Sequence, residues 1–182
     1  MGKYRIFVAI DIPEELKNVA EAYIEPFYKN NLARVVEKEN WHITLIFCGY
    51  LDEDKLDKLK EKTKEIAEKT EKFELIPDKI IFAPPSRTPR MVWLTFKHSP
   101  GFSKLSKEFS QFSENSRESF PHLTLIRFKE FHYPNLKKLL PENGIDLKSK
   151  AKPFMAESIN IMESHLSRND PKYELVEKFN LI

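Results

Sequence analysis

With 182 residues, 41% of them hydrophobic, the chain can bury a proper core and is short enough for a single domain. A net charge of only +2, with 32% of residues charged, gives no bulk argument for nucleic acid or membrane binding, so any anion site has to be local. The one cysteine, Cys48, cannot close an internal disulfide, no apolar run reaches bilayer length, and the start MGKYRIFVAIDIP leads into a strand rather than a signal pattern; a cytoplasmic protein is expected.

Tyr4 to Ile10 alternates as a strand, with Tyr4, Ile6, Val8 and Ile10 on one side and Arg5 and Ala9 on the other. A helix follows: Pro13 suits a first turn, Glu14 and Glu15 its positive end, and Leu16, Val19, Ala20, Tyr23 and Ile24 recur at helical spacing until Pro26 should end it nearby. After an extended segment at 34–36 comes the strand NWHITLIF, then a helix with an apolar stripe of Leu56, Leu59, Ile66 and Ala67 and a solvated face of Lys and Glu. Strands are expected at 73–82 and 91–96, separated by the turn-rich APPSRTPR, then a helix marked by Phe102, Leu105, Phe109 and Phe112. The strand in SFPHLTLIRF, a short helix at 136–140 and two closing strands at 154–163 and 173–181 complete an α+β domain of mostly antiparallel sheets with helices on the outside.

The pattern H-x-T-L occurs twice, at His42 and His122. Residues i and i+2 of a strand share a face, so His42 lies with Thr44 while Ile43, Leu45 and Phe47 point the other way; His122 likewise lies with Thr124. Two imidazoles titrating near neutrality can divide general acid and general base work, and two threonine hydroxyls can donate to non-bridging phosphoryl oxygens. That set suits in-line attack at a phosphodiester and requires no metal or other cofactor. A zinc site remains an alternative, though no HExxH or companion ligand stands at the usual spacing, and no GxSxG turn supports a serine hydrolase.

These motifs resemble those of the 2H phosphoesterase superfamily, and within it the RNA 2′,3′-cyclic phosphodiesterases, also called 2′-5′ RNA ligases. RIFVAIDIPEEL is similar to that family's first strand and helix, ENWHITLIFCGYLDED and RESFPHLTLIR to its two motif blocks, RMVWL to its middle strand, and INIMESHLSRNDPKYELVEKFNLI to its closing hairpin. The resemblance implies a bilobal, pseudo-symmetric fold with a central cleft, one HxT motif from each lobe, and hydrolysis of a ribose 2′,3′-cyclic phosphate to a 2′-phosphomonoester, with 2′-5′ ligation as a possible reverse reaction. It implies His42 as general acid, His122 as general base, and Thr44 and Thr124 as phosphate ligands.

It also implies Arg127 as a phosphate ligand, with Arg117 as a weaker candidate. By strict alternation Arg127 points away from His122 unless the strand twists or bulges, and a structural ion pair is the competing reading. Ile46 departs from the polar residue common after the first motif, and Asp170-Pro171 from a Gly-Pro near the end. His98, His132 and His165 are expected to be exposed or locally bonded, Cys48 to be a buried structural thiol, and Trp93, Phe82 and Phe96 to be core. Trp41 or Tyr50 could stack a base at the cleft mouth, a role that sequence does not separate from packing. RNA ends or small cyclic nucleotides are the expected substrates, with no membrane partner and a monomeric chain; an RNA-binding or scaffolding module with little turnover is the alternative.

Overall fold

The alternation in YRIFVAI produces strand β1 (Tyr4–Ile10), the centre of one half of the molecule in the computed structural model, which describes residues 3–85, 87–114, 119–166 and 171–182. Helix α1 (Glu14–Tyr28) follows without a side-chain cap, starting behind Pro13 and burying Leu16, Ala20, Ile24 and Phe27. Pro26 does not stop it at once: a proline in the last turn removes one intrahelical bond, and the helix runs two residues further because Phe27 is buried.

The chain continues through β2 (Ala33–Val35), β3 (Ile43–Leu51), α2 (Glu53–Ala67), β4 (Phe73–Leu75), β5 (Pro77–Ala83), β6 (Met91–Phe96), α3 (Pro100–Glu108), β7 (His122–Phe128), α4 (Tyr133–Leu136), β8 (Ile145–Asp146), β9 (Phe154–Ala156), β10 (Ser158–His165) and β11 (Lys172–Asn180). Asp52 caps α2 by accepting from the Lys55 amide at 3.0 Å, and Ser99 caps α3 through the Phe102 amide at 3.4 Å. The strand expected at 73–82 is two, because the chain changes sheets at Ile76 and restarts at Pro77, a residue tolerated at the first position of a strand. The helix expected at 136–140 begins earlier, at Tyr133, with Pro134 in its first turn, and ends as a 3-10 turn.

Every recorded strand pairing is antiparallel. The main sheet runs β11-β10-β1-β3-β7-β6-β5-β8, with β2 against β7, and β4 pairs with β9 apart from it. One face of this sheet carries Ile6, Val8, Ile10, Ile43, Leu45, Val92, Leu94, Leu123, Leu125, Ile159 and Ile161 and joins the buried stripes of α1, α2 and α3 in one core. The opposite face carries the histidines. Burial on one side holds the strands in register, which leaves the other side available for polar groups.

Candidate functional site

The two motifs meet at the middle of the sheet. Ile43 and Leu123 are direct partners across β3 and β7, both buried in the core. In an antiparallel pair centred there, His42 lies beside Thr124 and Thr44 beside His122, with opposite Cβ atoms about 5 Å apart. Four polar side chains therefore stand on one face around a pseudo-twofold axis, each histidine from a different half of the sheet.

The same local geometry holds each imidazole. His42 Nδ1 lies 2.7 Å from the Asn40 carbonyl and His122 Nδ1 3.0 Å from the Phe120 carbonyl, in each case two residues back. A carbonyl only accepts, so Nδ1 carries the proton and Nε2 keeps its lone pair. In the first motif the Thr44 hydroxyl then donates to His42 Nε2 across 3.1 Å. The segment bearing Asn40 is tied down on three sides: Lys38 Nζ reaches Asn18 Oδ1 at 2.6 Å and Glu14 at 2.8 Å, Asn40 Nδ2 donates to the Pro171 carbonyl at 3.1 Å, and Trp41 Nε1 donates to the Val36 carbonyl at 2.8 Å.

Past the threonines, strict alternation fails in both strands at the same place. Ala9 pairs with Thr44 but Val8 with Ile46, and Trp93 pairs with Thr124 but Val92 with Ile126, so Leu45 and Leu125 are each an extra residue in a bulge. Both leucines stay buried, and the parity behind them inverts. Ile46 and Ile126 turn into the core, which explains an apolar residue at 46. Phe47, expected on the core side, is instead 51% exposed on the histidine face, and Arg127, the equivalent residue of the second motif, faces the cleft as well. Strict alternation would turn Arg127 away from His122; the bulge at Leu125 removes that obstacle. Arg127 Nη1 also lies 3.6 Å from Met91 Sδ, its cross-strand neighbour.

Each ring is packed between two aromatics. His42 lies 4.8 Å from the Phe7 ring centroid and 5.2 Å from that of Tyr173; His122 lies 4.2 Å from Trp93 and 5.0 Å from Phe120. Burial is the main reason that His42 is pulled down from 6.5 to about 4; the Asn40 carbonyl and Asp11 oppose this, and Arg127 and His122 add to it. His122 is also lowered, first by burial, against the Phe120 carbonyl and with help from Arg127. That Arg127 acts on both rings agrees with its place beside them. Both shifts favour the neutral imidazole in the free protein.

Sequence reading missed Phe7, Tyr173 and Phe120, whose place beside the histidines depends on strand order. Trp93 is buried as expected, yet it lies on the histidine face under His122, because Val92 and Leu94 take the core side of β6. Its Nε1 has no hydrogen-bond partner among the described residues. Trp41 is no stacking surface: at 3% exposed it belongs to the core, while Tyr50 is exposed opposite Arg5. Cys48 is buried and its thiol is pushed up to about 12, chiefly by burial, as a structural thiol should be. His165 bonds Glu174 at 3.1 Å in the closing hairpin, and His98 is exposed, both away from the site. Arg117 and Asp170 lie outside the described residues. Among the described residues no group of three or more His, Cys, Asp or Glu side chains is arranged to hold a metal ion, and no helix is long and apolar enough to cross a membrane.

A family model described as LigT like Phosphoesterase matches residues 9–93. The RNA 2′,3′-cyclic phosphodiesterase of Methanocaldococcus jannaschii is 32% identical over 96% of this chain and 99% of its own, and that of Bacillus subtilis 30% identical over 96% and 95%. Among solved structures, E. coli LigT complexed with 3′-AMP superposes with a TM-score of 0.78 at 22% identity, covering 100% of this chain and 99% of that one, and TT0787 of Thermus thermophilus with 0.75 at 22% identity, covering 97% of each. The fold is therefore that of LigT, and full-length relationship to proteins of this kind means that the chain belongs to the LigT-like phosphoesterase family of RNA 2′,3′-cyclic phosphodiesterases.

Proposed function

We propose that this chain hydrolyses ribose 2′,3′-cyclic phosphates, at RNA ends or in small cyclic nucleotides, to 2′-phosphomonoesters without a metal ion or other cofactor. The observation that carries the reading is the pair of imidazoles on one face, each with Nδ1 held by a carbonyl two residues back and Nε2 turned to chemistry, joined through the Ile43–Leu123 partnership of the two motif strands. The curated relatives, named RNA 2′,3′-cyclic phosphodiesterases, support the same chemistry.

In this mechanism Arg127, Thr44 and Thr124 bind the non-bridging phosphoryl oxygens. His122 Nε2 takes a proton from the attacking water as the new P–O bond forms, and His42 Nε2 gives a proton to the 3′ oxygen as the P–O3′ bond breaks. Burial chiefly, and Arg127 to a smaller extent, favour the neutral form of both rings before substrate arrives, so the acid proton is taken up with the substrate, whose phosphate anion beside the ring favours imidazolium. The same residues in reverse would join a 2′-phosphate to a hydroxyl, which is the ligation reading. The whole chain is one domain whose two halves each supply one motif. It is proposed to work as a monomer in the cytoplasm, since both imidazoles come from one chain and no second copy is needed to complete the set.

The test uses an oligonucleotide ending in a 2′,3′-cyclic phosphate, incubated with chelator, with the product isomers resolved. The 2′-phosphate is expected, and His42→Ala or His122→Ala should each reduce turnover by about 100-fold or more. Undiminished turnover in either variant would sink the mechanism, and activity lost in chelator but restored by zinc would replace it with a metal site. A substrate with sulfur at the 3′ bridge, whose leaving group needs no acid, should rescue His42→Ala and not His122→Ala; the opposite pattern would exchange the two roles.

A further inference from the structure

The cleft face carries a second arginine that the hydrolytic step does not use. β2 runs along the edge of β7 beyond its contact with β3, placing Ala33 opposite Phe128, Arg34 opposite Arg127 and Val35 opposite Ile126. Ala33, Val35, Ile126 and Phe128 pack on the core, so alternation sends Arg34 to the face of Arg127, and both arginines are exposed. Direct partners in an antiparallel pair have Cβ atoms about 5 Å apart, so the two side chains stand next to each other on this face, and each guanidinium is a fork suited to phosphate oxygens.

We infer that Arg34 is a specificity-determining residue that binds the phosphate on the 5′ side of the terminal nucleotide, so that the site prefers RNA chain ends to free nucleoside cyclic phosphates. This rests on the hydrolytic reading proposed above. With the reacting phosphate on Arg127, Arg34 stands one strand further out, about 5 Å away at Cβ, on the side where the next phosphate of a chain could lie. Guanidinium reach covers the remainder. The pseudo-symmetric partner of Arg127 in the first motif is Phe47, which is exposed and apolar, so the two halves of the cleft differ. Phosphates are attracted to the β7–β2 side, and this difference gives a bound chain a direction. An extra phosphate is also the feature that separates an RNA end from a nucleoside 2′,3′-cyclic phosphate with a free 5′ hydroxyl.

Uridine 2′,3′-cyclic phosphate with and without a 5′-phosphate provides the comparison, with kcat and KM measured on both for the wild type, Arg34→Gln and Arg34→Lys. The wild type should favour the 5′-phosphorylated substrate by about tenfold, the value of one charge-assisted hydrogen bond at an exposed site, and the preference should appear in KM. Arg34→Gln should abolish that ratio and Arg34→Lys retain part of it. Because the ratio is taken within each protein, a general loss of folded enzyme does not alter it. A wild type without preference, or an Arg34→Gln enzyme that keeps it, overturns the assignment while leaving the hydrolase intact. No turnover by the wild type on either substrate would overturn the hydrolytic reading, and this assignment with it.

Discussion

At His42 and His122 the Nδ1 proton is committed to a carbonyl two residues back, so each ring has one nitrogen left for chemistry. Both rings are depressed below 6.5, and Arg127 contributes to both. The sign follows from charge: removing a nearby cation favours imidazolium, so Arg127→Gln should raise the midpoints of both histidines. Titrating the imidazole C2 protons by NMR checks this, and unmoved midpoints would mean that the guanidinium points elsewhere. Stability has its own sign. An unfolded chain takes up protons at its histidines near 6.5, whereas folded His42 resists protonation down to about 4, so this residue costs no stability above that window and a growing amount as pH falls through it. The fall in urea midpoint from pH 7.5 to pH 5 should therefore be smaller in His42→Gln than in wild type; an equal fall would show that another group carries the dependence.

The paired bulges are the feature of β3 and β7 that most shapes the site, because one extra leucine in each strand reverses the side chains just behind it, Ile46 and Phe47 in β3 and Ile126 and Arg127 in β7. Ile46→Ala should cost about 2–5 kcal/mol, as truncation of a buried isoleucine does, while Phe47→Ala should cost under about 1 kcal/mol, since half of that ring is exposed. Urea unfolding of the two variants would decide the parity: the reverse ranking would mean a strand without the bulge. Here lies the limit of what the sequence discloses. Alternation in HITL and HLTL was enough to bring His42, Thr44, His122 and Thr124 to one face, and helical spacing was enough to find the buried stripes of α1 and α2. A bulge is fixed by pairing with another strand, Val8 with Ile46 or Val92 with Ile126, and no local pattern around Phe47 announces it. The aromatic walls are non-local in the same way. Phe7 and Trp93 reach the histidines because β1 borders β3 and β6 borders β7, an order visible only once the sheet is assembled.

On the scale of the whole molecule, the site depends on a narrow seam. β1 and β10 pair along much of their length, as do β5 and β6, whereas β3 and β7 share the single recorded partnership of Ile43 and Leu123. Each half of the sheet is well stitched within itself, and the distance between the two imidazoles is set where the halves join. Ile43→Ala and Leu123→Ala should each lower stability by about 2–5 kcal/mol, and as direct partners they should couple by about 0.5–3 kcal/mol in a double-mutant cycle. Their effect on catalysis should exceed what lost stability explains. An acid and a base acting on opposite sides of one phosphorus depend on their separation, and displacement by about 1 Å can cost about 100-fold in rate. Measured well below the melting temperature, where both variants are folded, kcat should still fall, with KM for the cyclic phosphate changing less because Arg127, Thr124 and His122 belong to one strand and move together. A seam variant that keeps wild-type kcat while losing stability would show that the halves are held in position by the shared helical core on the far side of the sheet, with the Ile43–Leu123 contact contributing packing alone.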